Sequence, residues 1–267
     1  MSWIFLERSH LPERMDLEAL DAPTAARILR ALERVNAWLG GVSATLSPLK
    51  RFSKNWPAGS KIRFLDWGTG GADIPRALVR WCRSRGFKAE VVGVDNNPAI
   101  VAYAREACKE YPEIQIAEGD LEREPSSGLR PPSPIGGRQG LGTCPLPLGE
   151  GTRRADEGSF DYVLSSLTLH HLSDAQIVSL LKESNRLAKR GIIMNDLKRS
   201  ARAWAWIWGL SRLTAADPVV QHDGPLSVKR AFTPQELTHL ATQAGVTYLT
   251  VKTHFGYRLT LAGEKHA

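Results

Sequence analysis

Residues 62–73 read Ile-Arg-Phe-Leu-Asp-Trp-Gly-Thr-Gly-Gly-Ala-Asp, and no other stretch constrains the fold as much. An apolar run ends in an acid, Asp66. A glycine-rich turn follows at Gly68, Gly70 and Gly71, and a helical pattern opens at Asp73. Strand, tight turn and helix in that order form a nucleotide-binding crossover within a parallel α/β sheet. Glycines there let the backbone turn sharply and let a ligand approach the main chain. Pyrophosphate-binding dehydrogenases carry a third glycine where this chain has Asp73. Carboxylates at 66 and 73 repel a pyrophosphate and suit a ligand with a cationic amino group and ribose hydroxyls.

The following strands carry acids at the same place. Residues 89–95 (AEVVGVD) end in Asp95, about where an acid meets ribose hydroxyls in this fold. Residues 114–120 (IQIAEGD) end in Asp120, followed by Leu121; the acid can accept from an adenine amino group and the leucine can cover the ring. Residues 160–172 read FDYVLSSLTLHHL. With DWGTGGAD, GVDNNP and EGDLE, this segment makes the chain resemble the class I S-adenosylmethionine-dependent methyltransferases, in particular the group that includes the ubiquinone/menaquinone-pathway enzymes. The resemblance covers roughly residues 60–196 apart from one insertion. Each motif alone fits a plain turn or a helix cap; four in order, each at a strand's C-terminal end, carry the reading. It implies a Rossmann-like, seven-stranded α/β sheet with helices on both faces, and S-adenosylmethionine as cofactor. The cofactor residues it implies are Asp66, Gly68, Thr69, Gly70, Asp95, Asn96, Asp120, Leu121 and Ser165.

At 267 residues the chain suits one domain with additions. Residues 1–60 read as an N-terminal helical cap, in which Ile28, Leu32, Val35 and Leu39 share one helical face before Gly40 and Gly41 end it. Residues 61–263 read as the catalytic domain. Within it, residues 124–158 are dominated by Pro and Gly without apolar periodicity, as expected of a disordered insertion. Two capping boxes mark helix starts, Ser173 with Gln176 and Thr233 with Glu236. The first of these helices is expected to run to about Lys189 and stop at Arg190-Gly191, before a strand at 192–196. Residues 246–251 and 257–261 read as a closing antiparallel pair. Three cysteines without ligand spacing, an odd count, argue against a disulfide framework and point to the cytoplasm. No run is long enough to span a membrane.

The acceptor side is expected in a second cap, residues 197–232. Trp204 and Trp208 share a helical face, flanked by Lys198, Arg199, Arg202 and Arg212. That pattern fits both a helix packing its indoles on the core and an interfacial helix, giving a possible peripheral membrane contact through 198–213. His222 beside Asp223, in a glycine-containing turn, is the candidate general base for a phenol. His170, Asn195 and Asp196 complete the candidate acceptor wall with Trp204 and Trp208. Metal-dependent catechol methyltransferases need carboxylates after strand four; Ser165-Ser166 stands there, so no metal is expected.

These readings point to methyl transfer onto a small molecule, an O-methylation of a phenolic or quinone-like, lipid-tailed compound. C-methylation in quinone biosynthesis is the nearest alternative. An RNA methyltransferase would use the charge excess, net +7 overall with nine Lys/Arg against four Asp/Glu over 198–267. No Asn-Pro-Pro-Tyr-type tetrad follows strand four, however, and nucleic acid is not the expected partner. Asp66 and Asp73 oppose a nicotinamide-dependent oxidoreductase, and intact acids at 66, 95 and 120 oppose a non-catalytic binding module. The oligomeric state is not legible. Replacing residues 124–158 by a short Gly/Ser linker is expected to leave melting temperature and S-adenosylmethionine affinity nearly unchanged, because closure entropy varies by only about 0.6 kcal/mol per doubling of loop length. Thermal melts and calorimetry of the deletion check this; a large loss of either overturns it.

Overall fold

Seven strands form one sheet in the order β3-β2-β1-β4-β5-β7-β6. The computed structural model describes residues 7–17, 21–119, 159–214 and 218–265. Asp120, Leu121 and the 124–158 insertion lie outside the described residues. The strands are β1 (Lys61–Trp67), β2 (Lys88–Asp95), β3 (Ile114–Glu118), β4 (Phe160–Ser166), β5 (Ala188–Leu197), β6 (Thr250–His254) and β7 (Arg258–Glu264). β1 to β5 run parallel, and β7 is antiparallel to both β5 and β6. The chain order reverses between β1 and β4, which opens a crevice at their carboxyl ends.

Both faces of the sheet are covered, so the central strands are apolar on both sides. In β1 the pleat divides them. Leu65 and Trp67 join one core with β5 and helices α6 (Asp174–Leu187) and α9 (Pro234–Gln243). Ile62 and Phe64 join the other, against α3 (Gly41–Phe52), α4 (Asp73–Ser84) and α5 (Pro98–Ala107). Both expected capping boxes are present at the starts of α6 and α9. The remaining helices are α1 (Arg14–Leu17), α2 (Ala22–Trp38), α7 (Ala201–Thr214) and α8 (Pro218–Arg230). Among the described residues no helix is long and apolar enough to cross a membrane.

Three local expectations fail, each at a glycine, a proline or a short apolar run. The helix expected to reach Lys189 stops at Leu187, and Gly191 lies inside β5 rather than ending a helix. There it faces Glu264 of β7, and an added Cβ would collide with the Gly263 carbonyl. Residues 246–249 are a turn, not a strand. Val246 and Leu249 are buried by it in the core, and β6 begins only at Thr250. The Gln221–Pro225 segment is not a turn but part of α8, with Pro225 inside the helix.

Gly191→Ala is therefore expected to destabilise the fold by about 1–3 kcal/mol, the range for overpacking. Each kcal/mol lowers Tm by roughly 2–4 °C in a chain of this size. Thermal unfolding checks this, and an unchanged Tm would show that the β5–β7 contact can relax freely.

Candidate functional site

The turn after β1 is built around a buried carboxylate. Asp66 is 2% exposed, and its Oδ2 accepts from the Thr69 hydroxyl at 2.9 Å. Its Oδ1 has no hydrogen-bond partner among the described residues. Gly68 (φ 63°) and Gly70 (φ 52°) take left-handed conformations that favour glycine. A Cβ on Gly68 would also strike Thr168, so the loops after β1 and β4 can meet only at a glycine. At the end of β2, Asp95 accepts from the Gly70 amide at 3.0 Å and the Asn97 amide at 3.2 Å. At the start of α4, Asp73 accepts from Asn36 Nδ2 at 3.0 Å. Asn36 Oδ1 in turn accepts from Arg258 Nη2 at 3.0 Å.

These three acids line one cavity of about 920 Å³. Burial raises all three carboxyls above their ordinary value, and takes Asp66 to about 7. Arg258, wholly buried, is pushed down by desolvation to about 10.

Part of the cavity is lined by the segment 7–17, which lies across the 170–172 turn and α8 as a strap. Arg8 donates to the carbonyls of Arg230 (2.6 Å), His170 (3.1 Å) and Leu172 (2.6 Å), and its guanidinium lies 4.0 Å over the Phe232 ring. Arg230 reaches back to the carbonyls of Leu11 (2.7 Å) and His171 (3.1 Å). The Asp223 carboxylate caps α1 by accepting from the amides of Arg14 and Met15. His10, Pro12 and Met15 of the strap thereby face the cavity, opposite Leu29 and Leu32 of α2.

Beneath the strap, Glu13 is 3% exposed and accepts from the Ser227 hydroxyl at 2.9 Å. It stands 3.7 Å from His170 Nε2, 4.0 Å from His171 Nε2 and 3.8 Å from Arg230 Nε. His170 Nδ1 is 2.7 Å from Asp196 Oδ1, and its backbone amide donates to Asp196 Oδ2 at 2.9 Å. Burial alone would raise Asp196, but the His170 charge and these hydrogen bonds outweigh it and hold the carboxyl below its ordinary value. The donor atoms of Glu13, His170 and His171 lie within 4.8 Å of one another, a spacing compatible with a metal ion. The Arg230 guanidinium already brings a positive charge to Glu13.

A family model described as "Methyltransferase domain" matches residues 58–245. This chain belongs to that methyltransferase family. No curated protein matches it in sequence. Among solved structures, it is similar to an S-adenosylmethionine-dependent methyltransferase from Aquifex aeolicus, with 16% identity over 92% of this chain and 98% of that one, and a TM-score of 0.53. It is similar also to human N-acetylserotonin methyltransferase in complex with S-adenosylmethionine (14% identity, 92% of this chain and 57% of that one, TM-score 0.55). A third is the CurJ carbon methyltransferase (12% identity, 92% and 59%, TM-score 0.52). The chain thus spans little more than half of the latter two, and these likenesses concern the fold. The enzyme is a methyltransferase and its cofactor is S-adenosylmethionine. The cavity wall fits that group. It offers an unpaired carboxylate oxygen at Asp66, three acids for one cationic ligand, and glycines at 68, 70 and 71 that leave room beside the main chain.

Of the sequence-derived site residues, Asp66, Gly68, Thr69, Gly70, Asp95 and Asn96 converge on the cavity. Ser165 does not; it is buried and its hydroxyl donates to the Trp67 carbonyl, while Ser166 takes the place on the wall. His170 turns inward to Asp196, and His171 lines the cavity in its stead. Asn195 is buried under α3, donating to Gly41 O, Thr45 Oγ1 and Ser166 Oγ. Asp196 is likewise an internal tie rather than an acceptor contact. Trp204 and Trp208 stack on each other along α7, outside the cavity lining. His222 lies on α8, also outside the lining, about half exposed with its ring held 2.7 Å from Asp223. Glu13, Asn36 and Arg230 escaped the sequence reading. They sit in the strap and in helices without any motif, and no local pattern signals them.

Asp66 makes the site pH-dependent. Its folded-state pKa is raised from 3.8 to about 7, so the folded protein keeps a proton that the unfolded chain releases at lower pH. The resulting stability is full below the unfolded value and is lost as pH rises toward 7. Asp66→Asn should flatten that fall, which denaturant titrations at about pH 5 and about pH 8 resolve. A cationic ligand favours the carboxylate form, so wild-type affinity for S-adenosylmethionine should strengthen as pH rises through about 7 and release a proton. Calorimetry in buffers of different ionisation enthalpy measures this. An equal proton release from the variant would show that another group titrates.

Proposed function

We propose that this methyltransferase methylates a hydroxyl oxygen of a small phenolic or quinone-like acceptor, with His171 as general base and Glu13 holding it. The observation that carries this reading is His171 on the cavity wall with a buried carboxylate 4.0 Å behind it. A phenol has a pKa near 10, and an imidazole backed by a carboxylate is suited to take its proton at neutral pH. Bound S-adenosylmethionine supplies an electrophilic methyl group on a sulfonium. The chain's own residues would hold it by Asp66 and Asp73 at the amino end and by Asp95 at the ribose. Asp120 and Leu121 are assigned to the adenine. The acceptor then lies between Leu29, Leu32 and the strap, whose side chains line the cavity and would align the oxygen. Arg230 supplies the positive charge beside Glu13, so the reading requires no metal.

The fold is shared with a carbon methyltransferase and cannot itself select the acceptor atom. The His–Glu pair favours oxygen, because an activated ring carbon needs less help from a base.

His171→Ala and Glu13→Gln are expected to lower kcat by about 10²–10⁴-fold at saturating cofactor, the range for general base catalysis. Alkaline pH should partly rescue His171→Ala, since the phenol then ionises unaided, whereas His222→Ala should retain turnover. Turnover on a panel of phenols and naphthols across the pH range checks this, with product regiochemistry read by NMR. Ring-carbon methylation, or equal rates for wild type and His171→Ala at every pH, overturns the base assignment.

A further inference from the structure

The helix that follows β5 is anchored by one face only. In α7, Ala203 and Ser211 are buried and Ile207 packs into a small core with Val228 and Ala231 of the α8 segment. Its other side carries large apolar groups in the open: Trp206 is 50% exposed and Leu213 is 86% exposed. These two are seven residues apart and so lie along one stripe of the helix. Arg202, four residues before Trp206, is exposed on the same stripe.

Further exposed apolar groups lie outside α7. Tyr257 packs against the same small core as Trp204 and Ile207. Two residues earlier, Phe255 is 80% exposed, and its carbonyl lies close to Gly40 at the end of α2. There Trp38 is also exposed. Phe255 and Tyr257 immediately precede β7, whose first residue, Arg258, pairs with Leu197 at the end of β5. Large exposed apolar groups aligned along one stripe, as on α7, mark an interaction surface.

The charge around the stripe identifies what it meets. Residues 198–214 hold Lys198, Arg199, Arg202 and Arg212 and no Asp or Glu. Arg199 is committed to Ala231 O and Glu236, whereas Arg202 and Arg212 are exposed. The Arg212 guanidinium lies 4.1 Å over the Trp208 ring and the Lys229 ammonium 5.5 Å over Trp204. Two of the three indoles of α7 thus already have a cation on one face, which suits a headgroup layer better than base stacking. Tryptophan and leucine between arginines is the make-up of a helix lying in an anionic interface.

We propose that the outer face of α7 docks on an anionic lipid bilayer, with Trp206 and Leu213 as apolar anchors and Arg202 and Arg212 facing lipid phosphates. The inference is independent of the acceptor and of the base assigned above. It is tested with the full chain by co-sedimentation with vesicles of pure phosphatidylcholine and of equimolar phosphatidylcholine and phosphatidylglycerol. The wild type should partition onto the mixed vesicles and much less onto the neutral ones, and salt should weaken it. A Trp206→Ala/Leu213→Ala variant should bind the mixed vesicles about tenfold or more weakly. An Arg202→Gln/Arg212→Gln variant should lose the preference for anionic lipid. Circular dichroism and S-adenosylmethionine affinity should be unchanged in both, which separates loss of docking from loss of fold. Equal partition onto both vesicles, undiminished binding by the Trp206/Leu213 variant, or binding to single-stranded RNA in place of vesicles would overturn the proposal.

Discussion

The Asp196 carboxylate, at the end of β5, ties down the loop that follows β4, and the acceptor half of the cavity hangs on that tie. One oxygen meets the His170 ring and the other takes the His170 amide, so the turn at 169–171 has a single conformation. The carbonyls of this turn then become fixed targets. Arg8 and Arg230 grip them from opposite sides, and Arg230 also holds the strap. A buried carboxylate of this kind stabilises only while its partners are in place; removing one leaves an uncompensated charge and typically costs 3–5 kcal/mol. Specific packing therefore starts at an acid that touches no ligand.

The three acids of the cofactor half are compensated in three different ways. Asp95 is held by the backbone amides of Gly70 and Asn97. Asp73 receives the influence of Arg258 through the Asn36 side chain. Asp66 has one hydroxyl and an orphaned oxygen. The least compensated acid is the one whose pKa rises most clearly, to about 7. Leaving it so is costly in the empty protein, and the cost is recovered when a cation arrives, as a reservoir of binding energy at the cofactor end.

The cofactor half was legible in the sequence because its residues are local. Asp66, Gly68, Thr69 and Gly70 form one turn, and Asp95 follows at the end of the next strand, so strand–turn–helix reading suffices to converge them. The acceptor half was legible only to within one residue. Ser165 and Ser166, like His170 and His171, are neighbours of which one faces the cavity and the other the interior. Side-chain direction reverses between Ser165 and Ser166 along β4 and turns by about a third of a circle between His170 and His171 in a short 3-10 helix, and composition does not record which of two identical neighbours faces which way. The pairing of His222 with Asp223 was also readable. What Asp223 does with it was not, because the amides it caps belong to residues 14 and 15. Glu13 carries no local signal at all, since its partners Ser227 and Arg230 come more than 200 positions later.

That separation has a consequence for how the protein comes into being. The strap is made before every strand of the sheet, and its contact with Arg230 spans 222 residues. The turns after β1 and β2 are made long before α8 and before Arg258, which reaches Asp73 through Asn36. During synthesis the local turns at the cofactor end are thus made early, while both halves of the cavity wait for the chain to return and close its longest loops.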